Sequence, residues 1–152
     1  MKKLLLLLLF IPLVSFGQTQ IINGIVVTPS EGYSYKSKLS NKNQASFIKS
    51  PGNELKVFAA KVKDREITKK LIQTVILSGN DIIKWKLLSP MKSDSGEYSE
   101  FATISYGPNG IVGYRMGFEL NGRLVMITTF ATSPREAMKT ILEASINIDK
   151  NN

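Results

Sequence analysis

The most regular pattern in the chain is an alternation of apolar with small or polar positions after residue 110. Every second residue of this segment is apolar: Val112, Tyr114, Met116, Phe118 and Leu120. Asn121-Gly122 follows, and this dipeptide suits a two-residue type I′ turn because both turn positions need positive φ. The pattern predicts a β-hairpin with strands over Ile111 to Leu120 and Arg123 to Ala131. The second strand is apolar on both sides, which indicates a central position.

Shorter apolar runs predict further strands earlier in the chain. Asn23 to Thr28 indicates a first strand, and Tyr33 to Lys38 and Ala45 to Lys49 are weaker candidates. A turn at Pro51-Gly52-Asn53 separates them from Glu54 to Val62, a largely buried strand with apolar groups on both faces.

Two more strands are predicted before the hairpin. Ile82 to Leu88 places Trp85 on an apolar face and lysines on the other face. Tyr98 to Tyr106 then leads through Gly107-Pro108-Asn109-Gly110 into the hairpin.

Two amphipathic helices complete the pattern. Asp64 is a suitable N-cap for a helix that Gly79 ends, with apolar residues at every third or fourth position: Ile67, Leu71, Ile72, Val75 and Ile76. Ser133-Pro134-Arg135-Glu136 is a capping box with proline at the first helical position. We expect the helix that it opens to turn one apolar side inward and to give way to a polar tail from Ile146. That side comprises Met138, Ile141, Leu142 and Ser145. The predicted fold class is α+β: an antiparallel β-sheet with two amphipathic helices packed on it, in the order β-strands, α, four β-strands, α.

The first 17 residues predict a cleaved secretory signal peptide. Lys2 and Lys3 precede an apolar run from Leu4 to Val14, and Ser15 and Gly17 supply small residues at a cleavage site. The apolar run is shorter than the roughly 20 residues of a membrane-spanning helix. We expect a periplasmic or secreted bacterial protein, with residues 18–152 forming a single α+β domain and no transmembrane anchor after cleavage.

Two missing residue types exclude whole classes of chemistry. The 152 residues include no His and no Cys, so the chain itself supplies no Ser-His-Asp triad, cysteine nucleophile, disulfide or imidazole metal site. We therefore expect a protein that is not an enzyme and that uses no cofactor or metal.

Four short motifs resemble chemical sites, but each is better explained by a structural role. The carboxylates of Glu97 and Glu100 suit a strand end better than acid–base catalysis. The segment from Asp94 to Glu97 lacks the ligand spacing of an EF-hand loop. Gly107 to Gly110 lacks the lysine of a phosphate-binding loop. The Ser133 side chain is better used as a helix cap than in an anion site at the helix N-terminus.

Positive charge is concentrated near the start of the mature chain. Residues 18–70 contain ten basic and four acidic residues, whereas residues 71–152 contain eight of each. Clustered lysines attract anions through a field that salt screens. The residues that we single out for an anionic partner are Tyr35, Lys36, Lys38, Lys42 and Lys49. A solubilising, Lys-rich surface is the simpler explanation.

The order of elements resembles the PsbP-like fold, which includes the photosystem II extrinsic protein, bacterial periplasmic relatives and a Ran-GTPase release factor. The resemblance lies in residues 123–148, RLVMITTFATSPREAMKTILEASINI, where a strand ends in an aromatic residue and a capped helix follows. The hairpin before this segment and the apolar helix after Asp64 fit it as well. Pro29-Ser30-Glu31-Gly32-Tyr33 departs from it, with Tyr33 where a tryptophan is expected. The resemblance implies an assembly or binding module without common catalytic residues.

Two functions remain open from the sequence. The first is an exported, non-enzymatic binding or assembly module of the bacterial cell envelope. Its basic N-terminal surface would meet an envelope protein or an anionic lipid or glycan, and export makes nucleic acid an unsuitable partner. The alternative is a small-ligand or lipid carrier with an apolar pocket between sheet and helix.

Overall fold

The computed structural model describes residues 18–61, 85–87, 91–92 and 99–152. These residues form an α+β fold of short and long antiparallel strands with one α-helix. The elements are β1 (Gln20–Ile22), β2 (Ile25–Val27), β3 (Ser34–Tyr35), β4 (Gln44–Ser50), β5 (Asn53–Lys61), β6 (Lys86–Leu87), β7 (Met91–Lys92), β8 (Ser99–Tyr106), β9 (Val112–Leu120), β10 (Arg123–Ala131) and α1 (Pro134–Asn151).

Eight of the described strands form one antiparallel sheet. Their order is β3-β4-β5-β10-β9-β8-β6, and β7 also pairs with β8, whereas β1 and β2 form a separate two-stranded sheet. The predicted hairpin is confirmed: Leu120 pairs with Arg123 across the turn, where Asn121 has φ of 50° and Gly122 of 69°. β10 lies between β5 and β9, so its predicted central position is also confirmed.

One face of the sheet packs on α1 and forms the core. On β9 the alternating apolar residues, from Val112 to Leu120, are all buried on this face. The space between sheet and helix is filled by fully buried side chains, among them Phe47, Leu55, Ile127 and Ile148. Burying each such side chain stabilises the fold by about 1.5–3 kcal/mol relative to leaving it exposed.

α1 begins where its capping box predicts, but it packs through a side that shares only Ile141 with the predicted one. The Ser133 hydroxyl accepts a hydrogen bond from the Glu136 backbone N–H at 3.2 Å. The buried side consists of Ala137, Thr140, Ile141, Ala144 and Ile148, and the helix continues to Asn151. Met138 and Leu142 are 38% and 39% exposed, so the prediction that they face inward is wrong. The two alanines allow a close approach to the sheet, and Met138 and Leu142 lie outside.

The N-terminal segment is a hairpin and not the single strand predicted over residues 23–28. Asn23 and Gly24 have φ of 49° and 82° and form a tight turn between β1 and β2. Likewise, the strand predicted over residues 33–38 is only two residues long and passes into a 3₁₀ turn, Ser37–Leu39. Short polar segments carry too little alternation to define their own ends.

The β1–β2 hairpin is fastened to the rest of the fold by side chains of polar residues. The Arg123 guanidinium donates to the backbone oxygens of Asn23 and Asn121, which belong to two different Asn-Gly turns. The Asn152 amide both accepts from the Val26 N–H at 2.8 Å and donates to the Val26 carbonyl at 3.0 Å. It pairs with the edge of β2 as a neighbouring strand would.

Several predictions fall wholly or partly outside the described residues. The signal peptide over residues 1–17 and the helix from Asp64 to Gly79 both lie there, so α1 is the predicted helix that the structure confirms. Of the strand predicted over residues 82–88, Lys86–Leu87 is a strand and Trp85 is buried.

Candidate anion-facing surface

Residues 36–43, which link β3 to β4, bring three of the predicted lysines together. We call this segment the basic connection. Lys36, Lys38 and Lys42 are exposed in it, and the sequence has no acidic residue between Glu31 and Glu54. Each of these ammonium groups is a strongly hydrated cation on a flexible stem, suited to diffuse attraction rather than to a bidentate site.

Backbone and side-chain hydrogen bonds join the basic connection to the start of β4. The Ser40 hydroxyl donates to the Lys36 carbonyl at 2.8 Å, and it also accepts from the Ser46 N–H at 3.0 Å. The Leu39 carbonyl accepts from the Ser46 hydroxyl at 2.8 Å and from the Gln44 amide at 3.3 Å. Since Ser46 is only 1% exposed, these bonds tie the connection to the interior of the sheet.

Further positive charge lies at the same end of the sheet. The Asn43 carbonyl accepts from the Ala59 N–H at 2.9 Å, which places the connection beside the end of β5 and its exposed last residue, Lys61. Lys61 pairs in register with Arg123 on β10. This end of the sheet also holds a carboxylate, that of Glu119 on the neighbouring strand β9, which accepts a hydrogen bond from the Gly122 N–H at 3.0 Å.

The other two predicted residues are placed elsewhere. Tyr35 is half-buried, with its ring centroid 5.7 Å from that of Phe47, so it supports the core. Lys49 lies near the opposite end of β4, about 17 Å along the strand from Gln44. Its Nζ is 3.6 Å from the Glu136 carboxylate. The structure therefore divides the predicted set into three exposed lysines on one short segment and two residues with other contacts.

Lys49 belongs to a polar groove of about 570 Å³ at the N-terminal end of α1. The groove is lined by three cations and three carboxylates: Lys49, Arg135, Lys139, Glu31, Glu136 and Glu143. On its floor the Tyr33 hydroxyl lies 3.4 Å from that of Thr140. The positive and negative charges of the lining are equal in number, so the groove has no net positive charge that would attract an anion.

The start of α1 confirms the structural role of Ser133. Its hydroxyl is used by the Glu136 N–H, and its carbonyl accepts from the Ala137 N–H at 3.1 Å. Pro134 has no N–H to offer. The cap therefore occupies amides that an anion at this helix end would need.

The face of the sheet opposite α1 carries an aromatic and cationic cluster that the sequence analysis missed. The Arg115 guanidinium carbon lies 4.2 Å from the centroid of the Trp85 ring, and Arg115 Nε donates to the Thr128 hydroxyl at 3.2 Å. Trp85 in turn contacts Phe130, with ring centroids 5.9 Å apart. Burial lowers the pKa of Arg115 to about 10, which leaves it charged at neutral pH. A cavity of about 180 Å³ adjoins this cluster.

A signal for this cluster was present in the sequence. Gly113 and Gly117 flank Arg115 at alternate positions of β9, so their face of the strand has room for a large ring beside the guanidinium. A cation stacked on an aromatic face is stabilising by about 0.5–2 kcal/mol. The contact stabilises the sheet, and Trp85 is buried on this face, away from the core beneath α1.

The remaining chemical motifs add no reactive site within the described part of the chain. Residues 107–110 form a turn that includes a short 3₁₀ segment, Pro108–Gly110, and lead into β9. The side chains of Glu97 and Glu100 lie outside the described positions, as does the Asp94–Glu97 segment. The described residues hold no group of three or more acidic side chains that is arranged for a metal ion. No helix among them is long and apolar enough to cross a membrane.

Comparison with known proteins identifies the fold. No protein-family model matches the chain, and no curated protein matches it in sequence. The chain is similar in structure to cyanobacterial PsbP (CyanoP) from Synechocystis sp. PCC 6803, known from a solution structure. The TM-score is 0.53 at 10% sequence identity, over 88% of this chain and 89% of the other. The chain has a PsbP-like fold.

Proposed function

Starting from the PsbP-like fold, we propose that this chain is an exported, non-enzymatic binding module of the bacterial cell envelope. Its basic connection is the surface that meets an anionic partner. The observation that carries the proposal is the set of three exposed lysines, Lys36, Lys38 and Lys42, on a segment fixed by hydrogen bonds to β4.

A fixed segment favours binding because less conformational entropy is lost when a partner orders it. The Ser40 and Ser46 hydroxyls donate to the Lys36 and Leu39 carbonyls and so hold the backbone of the connection before any partner arrives. The lysine stems remain free to adjust, which suits a partner with distributed negative charge. Lys61, at the same end of the sheet, adds to the field.

Two features of the sequence support the rest of the proposal. The leader pattern over residues 1–17 supports export. The lack of His and Cys throughout the 152 residues supports a binding role, because it removes the commonest general base and the strongest nucleophile.

The proposal is tested by neutralising the lysines of the basic connection. The variant K36Q/K38Q/K42Q should elute from heparin or a sulfonated resin at clearly lower salt than the natural chain. The matched control, K49Q/K139Q/K150Q, removes the same net charge from exposed lysines elsewhere and should elute at higher salt than the first variant. Equal shifts for both variants would show that only net charge matters, and they would contradict a specific surface.

A further inference from the structure

Leu39 is an exposed apolar residue in the middle of the basic connection. Its side chain is 50% exposed, between Lys38 and the polar residues Ser40 and Asn41. The backbone at Leu39 is anchored to β4, since its carbonyl accepts hydrogen bonds from the side chains of Ser46 and Gln44. The 3₁₀ turn is closed by a bond from the Leu39 N–H to the Lys36 carbonyl at 3.1 Å.

An exposed leucine among exposed lysines indicates a partner that offers both negative charge and an apolar layer. A polyanionic glycan offers charge but no apolar layer for a leucine. An anionic bilayer offers both: headgroups for the ammonium groups and acyl chains directly beneath them. Lysine stems can lie along apolar surface while their charged ends remain at headgroup level.

We propose that the basic connection binds the surface of an anionic lipid bilayer, with Leu39 inserted below the headgroups. This inference rests on the proposed function, because it names the partner of the same surface. Lys36, Lys38 and Lys42 each lie within three residues of the leucine in the sequence, and the connection itself carries no carboxylate. The contact is peripheral and reversible, since one leucine and a few lysines give only a weak anchor.

The absence of cysteine from the chain makes the insertion directly measurable. Leu39→Cys carries a single environment-sensitive fluorophore at the proposed point of insertion. Leu142→Cys carries it on the outer side of α1, where Leu142 is 39% exposed. Both labelled proteins are mixed with vesicles of phosphatidylglycerol and phosphatidylcholine, and with vesicles of phosphatidylcholine alone.

We expect a blue shift of emission at position 39 with the anionic vesicles only, and none at position 142. In vesicle flotation the variant K36Q/K38Q/K42Q should bind on the order of 100-fold more weakly, at about fivefold for each lysine. Leu39→Ser should bind roughly five- to tenfold more weakly, and Leu142→Ser should match the natural chain.

Other outcomes separate this inference from the proposed function. One such outcome is salt-sensitive retention on heparin together with no blue shift at position 39 and no loss of vesicle binding in Leu39→Ser. It would overturn bilayer insertion, but the proposal of an anionic partner would still hold. Binding of an acidic envelope protein through Leu39, with no binding to vesicles, would likewise overturn bilayer insertion and keep the proposal of an anionic partner. Failure to bind any anionic material would overturn both.

Discussion

Gly113 on β9 is a position where one added methyl group should disturb the packing of two aromatic rings. A Cβ at this position would lie 2.9 Å from Phe130 Cε1 and 2.9 Å from Trp85 Cη2. Optimal separations between carbon atoms are about 3.5–4.0 Å. Both rings would therefore have to move. Since they also contact each other on this face of the sheet, moving one disturbs the other.

The expected loss of stability follows from two opposing effects. Overpacking a filled site costs about 1–3 kcal/mol. Replacing glycine by alanine also restricts the unfolded chain, which offsets about 0.4–1 kcal/mol. We therefore expect Gly113→Ala to lower the free energy of unfolding by about 1–2 kcal/mol, and Tm by about 4–8 °C.

Urea unfolding followed by the fluorescence of Trp85, the only tryptophan in the chain, measures this change. The native emission should also differ in Gly113→Ala, because the indole itself is displaced. Gly107→Ala is the control, since a Cβ there would meet its nearest atom, the Ile111 carbonyl oxygen, at an ordinary 3.5 Å. Without a clash, the restriction of the unfolded chain is left unopposed, so this control should be at least as stable as the natural chain.

A double-mutant cycle with Phe130→Leu identifies the cause. Removing the ring should make Gly113→Ala less costly than it is in the natural background, so the two changes should not add. Natural-like stability of Gly113→Ala, or strict additivity with Phe130→Leu, would refute the proposed crowding between β9, β10 and Trp85.

Two further changes test the capping and fastening contacts. Ser133→Ala should lower the free energy of unfolding by about 1 kcal/mol because the Glu136 N–H loses its acceptor. Ser133→Asp should keep most of the natural stability, because its carboxylate can accept the same bond. Equal stability of the two variants in urea unfolding would contradict the role of Ser133 as a cap. Arg123→Ala should cost about 1.5–3 kcal/mol because two charge-assisted hydrogen bonds are lost. Its amide hydrogen exchange should accelerate first in β1 and β2, and uniform acceleration through the sheet would argue against a local role.

The parts of the fold that the sequence predicts are those determined by local pattern. The strands flanking Asn121-Gly122 are nine residues each, so their alternation and their turn agree. Asn23-Gly24 is the same dipeptide, but its flanking strands are three residues each and offer too little alternation for a prediction.

The errors arise where burial depends on tertiary geometry. In α1, Ala137 and Ala144 are buried because the helix lies close to the sheet, whereas a sequence pattern favours the larger Met138 and Leu142 for the core. Small residues give little hydrophobic signal of their own.

The predicted binding residues show the same limitation. Lys42 and Lys49 are close in sequence, but a strand separates them in space because it advances about 3.4 Å per residue. Lys61, distant in sequence from Lys42, comes to the same end of the sheet through the pairing of β4 with β5. The sequence lists the lysines, and only the pairing of the strands shows which of them lie at the same end of the sheet.

The pairing of β5 with β10 also governs how this chain acquires its structure. Glu54 and Phe130 are partners in adjacent strands, so the middle of the sheet joins an early segment of the chain to a late one. Closing such a long loop costs conformational entropy before the stabilising contacts between the two strands can form, and this slows folding. Until residues 123–131 are in place, β5 has one open edge, and the N-terminal strands cannot form a finished core by themselves.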